Sequence, residues 1–242
     1  RLVGSEMCIR DSNATEWVAS KFKEWGLEVE LQEAGTLPVG FNRGPWFGKL
    51  LGENGMELHF VSPSYTSGTK GLQRGHVLLE PLTQDEFDRI KGQLKGAWVL
   101  VNGKNTGWPI NWSAIADYDR AGVIAENNTI AQKNREIMRD NWVNKKNTPL
   151  LPLNDEKPAL FYKEMCEAGV LGFIQSASVP LRALYDKNVV FDKDMTIEKL
   201  PTVPDIKLDE HQYAIIKQMV KERRSFMLEF DIRNHFRLGP VK

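Results

Sequence analysis

Twice in this chain a helix-like stretch runs straight into an unbroken apolar one. "TQDEFDRIKGQLKG" (83–96) leads into "AWVLVNG" (97–103), and "PALFYKEMCEAG" (158–169) leads into "VLGFIQSA" (170–177). An apolar run that does not alternate marks a strand covered on both faces. Such strands demand layers above and below them. The helices supply those layers, and their ends are written in the sequence. Thr83 and Glu86 stand at capping-box spacing, Pro158 sits near a first turn, and Gly169 closes the second helix.

The flanking segments add to this frame. "NATEWVASKFKEWG" (13–26) predicts a helix with Trp17, Val18, Phe22 and Trp25 on one face, ended by Gly26. "LEVELQE" (27–33) alternates as a strand. Gly35 to Gly55 reads as turns between short extended pieces, "MELHF" and "HVLLE" as short strands, and "SPSYTSGTKG" as a loop. "NWSAIADYDRAG" and "TIAQKNREIMRDNWVNKK" read as two helices with a polar connection. In "LDEHQYAIIKQMVKERR" Asp209 caps a helix that turns Tyr213, Ile216 and Val220 to one side. A last strand alternates through Phe226, Leu228, Phe230 and Ile232, resumes at Phe236 and Leu238, and meets Gly239-Pro240. Strands first, then helix–strand alternation, then a helix and a long strand predict a mixed α/β sheet domain or barrel.

Composition excludes some functions. Lys+Arg and Asp+Glu are both 32, so the balanced charge offers nothing to nucleic acid or an anionic membrane. No apolar run approaches the roughly 20 residues of a membrane span. "RLVGSEMCIRDS" (1–12) has no apolar core of a secretion signal; it resembles a peptide translated from sequencing-adapter DNA at the end of an environmental gene fragment, a non-native leader expected to pack poorly. Cys8 and Cys166 make no disulfide framework, and Cys166 reads as a small packed side chain. The sequons at Asn13, Asn111 and Asn127 read as chance.

Catalytic motifs are missing. His59, His76, His211 and His235 stand in no metal-ligand spacing, and no nucleophile elbow, phosphate loop or dinucleotide fingerprint is present. The acidic pairs at 85–86 and 209–210 suit helix starts. The most site-like stretches are "GFNRGPW", where Arg43 lies between glycines and is flanked by Phe41 and Trp46, and "NTGWPINW", which sets Trp108 and Trp112 about Pro109.

Taken together, "PSYTSGTKGLQRGHVLLEP", "KGAWVLVNG", "PALFYKEMCEAGVLGFIQSAS" and "LPTVPDIKLDEHQYAIIKQMVKERRSFMLEFDIRNHFRLGPVK" resemble a protease-associated (PA) domain. The resemblance is to the version inserted into clan MH zinc aminopeptidases and carboxypeptidases, the group containing plasma glutamate carboxypeptidase. It implies a PA-type swivelling β/β/α barrel-like domain at 35–232, and a helix–strand piece of an incomplete α/β peptidase domain at 13–34. Residues 233–242 are then a return strand towards the catalytic half. In that family two zinc ions, held by histidines and carboxylates, and a glutamate base act on a bridging water. All those positions would lie beyond Lys242, so the resemblance implies no catalytic or metal residue and no cofactor in this chain, and two zinc ions in the parent. It further implies a catalytic domain in cis and a peptide substrate as partners, export to the periplasm or beyond, and Arg43, Trp46 and Trp108 as substrate-cleft contacts. The apolar sides of "WVASKFKEW" and "FRLGPVK" are then expected to be bare. The rival expectation is a free-standing PA-type module that binds protein or peptide without enzyme activity.

Overall fold

A computed structural model describes residues 6–32, 35–52, 55–110, 120–154 and 161–241. The two apolar runs lie at the centre of its sheet. β4 (Gln73–Leu79), β5 (Ala97–Asn105), β6 (Gly172–Ala177) and β7 (Asp205–Asp209) are parallel neighbours. Along β5 successive residues point to opposite faces. Trp98 and Leu100 join the cluster under α6 (Glu210–Lys221), while Val99 and Val101 join the cluster under α4 (Tyr162–Glu167). With both faces covered, residues 97–101 offer no position where water would favour a polar residue. All six residues of β6 are buried.

The helix ends follow their sequence signals. At α2 (Gln84–Ile90) the Thr83 hydroxyl accepts from the Glu86 N–H at 3.2 Å, and the Glu86 carboxylate accepts from the Leu82 N–H at 2.7 Å. Asp209 caps α6 by accepting from the N–H groups of His211 and Gln212. That helix buries Tyr213, Ile216 and Met219 against the sheet.

Outside the parallel core the sheet turns antiparallel. β1 (Leu37–Leu51) and β8 (Met227–Val241) pair along their lengths, Leu37 opposite Val241 and Leu51 opposite Met227. The turns expected between Gly35 and Gly55 are thus one long strand. Its glycines serve close approach instead: a Cβ on Gly48 would stand 2.7 Å from the Phe230 ring. A register shift between Arg43 and Trp46 absorbs Gly44-Pro45. β8 likewise runs on through Gly239-Pro240.

"MELHF" divides between the two edges. β2 (Met56–Glu57) pairs with β1 at one edge and β3 (Phe60–Val61) with β7 at the other. Only Leu58 and His59 lie between them, and two residues span little distance even when extended. The eight-stranded sheet, ordered β2-β1-β8-β4-β5-β6-β7-β3, must therefore curl until its edges meet.

Two expectations near the start need correction. α1 (Glu6–Glu24) begins within the presumed leader and not at Asn13; the packing of side chains 1–12 lies outside the described residues. Residues 27–32 form no strand, because no strand lies beside them among the described residues, and Leu27 and Leu31 remain exposed.

The third departure is an arm. α3 (Arg120–Asn144) runs unbroken through 123–128, where a polar connection between two helices was expected; 111–119, most of the first expected helix, lie outside the described residues. Asn127, Asn134 and Asn141 follow one another at seven-residue spacing, so they share a face. Each amide grips the main chain of one returning residue. Asn127 donates to the Asn154 carbonyl and accepts from its N–H, both at 2.8 Å. Asn134 does the same with Leu151 (2.9 and 2.8 Å), and Asn141 with Thr148 (2.8 and 2.9 Å). The gripped residues are three apart. In a β-strand, residues three apart face opposite ways; in a polyproline II helix, with three residues per turn, they face the same way. Pro149 and Pro152, which have no N–H to offer, occupy positions the ladder leaves out. Residues 148–154 thus lie along α3 as a polyproline strand. Asn127, the amide of a sequon, is buried with both groups engaged.

Candidate contact surface

Arg43 sits in β1 beside the register shift. Its guanidinium lies 5.8 Å from the centres of both the Phe41 and Trp46 rings. Nη2 donates to the Ser62 carbonyl at 2.8 Å and to the Ser64 hydroxyl at 3.0 Å, so the side chain holds the turn after β3. Burial pulls its pKa below the usual arginine value. Its buried Nε has no hydrogen-bond partner among the described residues.

Trp46 and Phe47, each about two-fifths exposed (41% and 40%), wall a cavity of about 260 Å³. Gly48, Leu181 and the run Glu57 to Phe60 complete it. This volume suits one or two side chains rather than a whole ligand. Glu57 and His59 are exposed at its mouth, with Lys49 opposite Glu57 in the strand register.

Trp108 stands on the turn after β5, half exposed. No contact joins it directly to Arg43 or Trp46 among the described interactions. Segment 181–184 connects the two places. Leu181 lines the Trp46 cavity, the Leu184 N–H donates to the Gly107 carbonyl at 2.9 Å, and the Leu184 carbonyl accepts from the Ser64 N–H at 3.1 Å. A Cβ on Gly107 would come 2.3 Å from the Arg182 carbonyl, so only glycine fits there. Trp112 lies outside the described residues.

Sequence reading missed the polar group beneath Trp108: Lys207, Asp205 and Gln175, all buried. Burial pushes the Lys207 ammonium below its usual range, with Asp205 opposing. The signal was present as a strict alternation, Asp205-Ile206-Lys207-Leu208-Asp209, which marks a strand but assigns Lys207 to a water-facing side that the fold covers.

The remaining titratable candidates have ordinary surroundings. His76 Nε2 lies 2.8 Å from the Gln93 carbonyl, and His211 Nδ1 lies 3.2 Å from Asp209. Burial pushes the Cys166 thiol up to about 11, so it is held unreactive near neutrality. Among the described residues no group of three or more His, Cys, Asp or Glu side chains could hold a metal ion. None of the described helices is long and apolar enough to cross a membrane.

Neither a protein-family profile nor a curated protein matches the sequence. Among solved structures the fold is similar to a peptidase M28 precursor from Shewanella amazonensis SB2B (14% identity, TM-score 0.49, 100% of this chain and 45% of that one). It is similar to an aminopeptidase from Aneurinibacillus sp. strain AM-1 (11%, 0.44, 100% and 42%). A zinc aminopeptidase from Bacillus subtilis overlaps it with 10% identity, TM-score 0.42, and 92% and 37% coverage. The chain spans less than half the length of each of these proteins.

Proposed function

We propose that this chain is the non-catalytic N-terminal part of an exported zinc exopeptidase. A PA-type region at 35–232 shapes the substrate cleft, and 13–34 and 233–242 connect it to a catalytic domain in cis. The observation that carries the reading is the end-to-end pairing of β1 with β8. It takes the chain into and out of the sheet body side by side, as an inserted domain requires. Bare apolar side chains on the segments that this reading joins to the catalytic domain support it: Trp17 (62%) and Trp25 (70%) on α1 and Leu238 (72%) on β8 are well exposed. Large exposed apolar groups mark surfaces that a partner covers when they form one patch.

In this reading Arg43, Trp46 and Trp108 form the cleft wall of the PA-type region, and the peptide substrate passes over them. The two zinc ions belong to the partner domain, where they activate water for amide hydrolysis. The test is to read the gene beyond codon 242 and assay the encoded protein on short peptides before and after metal removal. Hydrolysis abolished by a chelator and restored by zinc is the expected result. Activity that survives complete zinc removal overturns it.

The aromatic cavity at Trp46, sized for a side chain and set beside the edge strand β3, favours one rival: a free-standing module that binds peptide without cleaving it. A stop codon shortly after Lys242 selects that rival. An H-x-D motif followed by a later acidic pair selects the peptidase.

A further inference from the structure

Lys207 is the least expected side chain in the sheet. It lies within β7 with no exposed surface, between Ile206 and Leu208. A lysine is almost never fully buried unless it is paired. Its ammonium donates to Asp205 Oδ1 at 2.6 Å and to Oε1 of Gln175, its register partner on β6.

Neither acceptor ends the chain of bonds. The other Asp205 oxygen accepts from the Ile110 N–H at 2.7 Å. Gln175 Oε1 also accepts from Asn105 Nδ2 at 3.2 Å, and Asn105 Oδ1 accepts from the Gly107 N–H at 2.7 Å. Gly107 and Ile110 bracket Trp108 and Pro109, and Pro109 has no N–H to anchor. Both sides of the Trp108 turn therefore run back, through two different routes, to one ammonium.

We infer that Lys207 is a positioning residue that sets the turn presenting Trp108, acting through Asp205 on one side and through Gln175 and Asn105 on the other. Stability alone does not ask for a lysine here, because a buried ion pair can often be replaced by packed apolar groups without loss. What an apolar side chain cannot do is hold Asp205 and Gln175 in the rotamers that receive Ile110 and Asn105. The functional meaning of the inference rests on Trp108 being a cleft contact, but its test does not.

The test is amide hydrogen exchange on the 242-residue chain, comparing Gly107 and Ile110 with the amides of β6. In Lys207→Met, Gly107 and Ile110 are expected to exchange about tenfold faster, while β6 amides change much less. If the unpaired Asp205 prevents folding, the double variant Asp205→Asn/Lys207→Met leaves no buried charge at this site and gives the same readout. Turn amides that keep their protection, or lose it only in step with β6, overturn the inference and leave Lys207 a purely structural residue. Since no peptide is involved, this result is independent of whether the intact protein hydrolyses one.

Discussion

The sheet body and the α3 arm use the same bond in opposite surroundings. In the body, main chain pairs with main chain, and the side chains behind those bonds are sealed; Trp98, Phe173 and Phe230 have no exposed surface. In the arm, a side-chain amide takes the place of a neighbouring strand. An asparagine carries one donor group and one acceptor, which is what a single residue's carbonyl and N–H require. Around that ladder the surface is open: Trp142 is 87% exposed and Leu153 58%. Burial holds the body and pairing geometry holds the arm. Hydrogen bonds exposed to water contribute only about 1 kcal/mol each, so the arm is expected to open locally while the body unfolds as a unit.

The largest effect is expected in the body. Phe230 packs edge-on against Trp98 and Phe60, with ring centres 4.8 and 5.2 Å away, and it presses on Gly48. Phe230→Ala should cost about 3–5 kcal/mol in urea unfolding, the range for emptying a buried aromatic site. The arm's exchange protection, set by its own local opening, should be unchanged as long as Phe230→Ala remains folded. An arm that loses protection in folded Phe230→Ala would break the division between the two regions.

Asn134→Ala is the complementary cut. It removes both bonds to Leu151 and should loosen 148–154 by roughly 1–2 kcal/mol, with little change in the body's melting temperature. Limited proteolysis between 148 and 153 should quicken. Asn134→Asp sharpens the test, since an ionised carboxylate still accepts from the Leu151 N–H but cannot donate to its carbonyl. Its cleavage rate should fall between wild type and Asn134→Ala. If Asn134→Ala lowers the melting of the whole protein as much as Phe230→Ala does, the arm is part of the cooperative core.

The same contrast separates what could be read in the sequence from what could not. α2, β5, α4, β6 and α6 were legible because their signals are local: a cap, an unbroken apolar run, a glycine stop. β1 was misread because Gly44 and Gly48 serve contact with β8, nearly two hundred residues away, and do not turn the chain. β7 escaped notice because Asp205 and Lys207 answer to Gln175 and Ile110, partners that only the fold supplies. The arm's code was visible in both of its segments, asparagines seven apart and prolines three apart, but neither spacing means much until the two are laid side by side. Arg43, Trp46 and Trp108 stood out by residue type alone. Their shared dependence on segment 181–184 did not.

The smallest of these effects separates body from arm by pH. Asp209 accepts two main-chain N–H groups at the start of α6. Burial disfavours its ionised form, but the bonds from His211 and Gln212 together outweigh that, and its carboxyl titrates below the ordinary value of 3.8. A folded value below the unfolded one means the stabilisation is present above the unfolded pKa and is lost as pH falls through the folded one. Asp209→Ala should cost about 1 kcal/mol near neutral pH, and Asp209→Asn less, because the amide oxygen still accepts. Melting followed downward from neutral pH should show the gap between wild type and Asp209→Asn closing in acid. The arm's ladder contains no titrating group, so protection of the Leu151 amide, measured relative to the body, should not follow that curve. A gap that stays constant with pH would mean the cap works by geometry alone, and the charge on Asp209 contributes nothing that an asparagine does not.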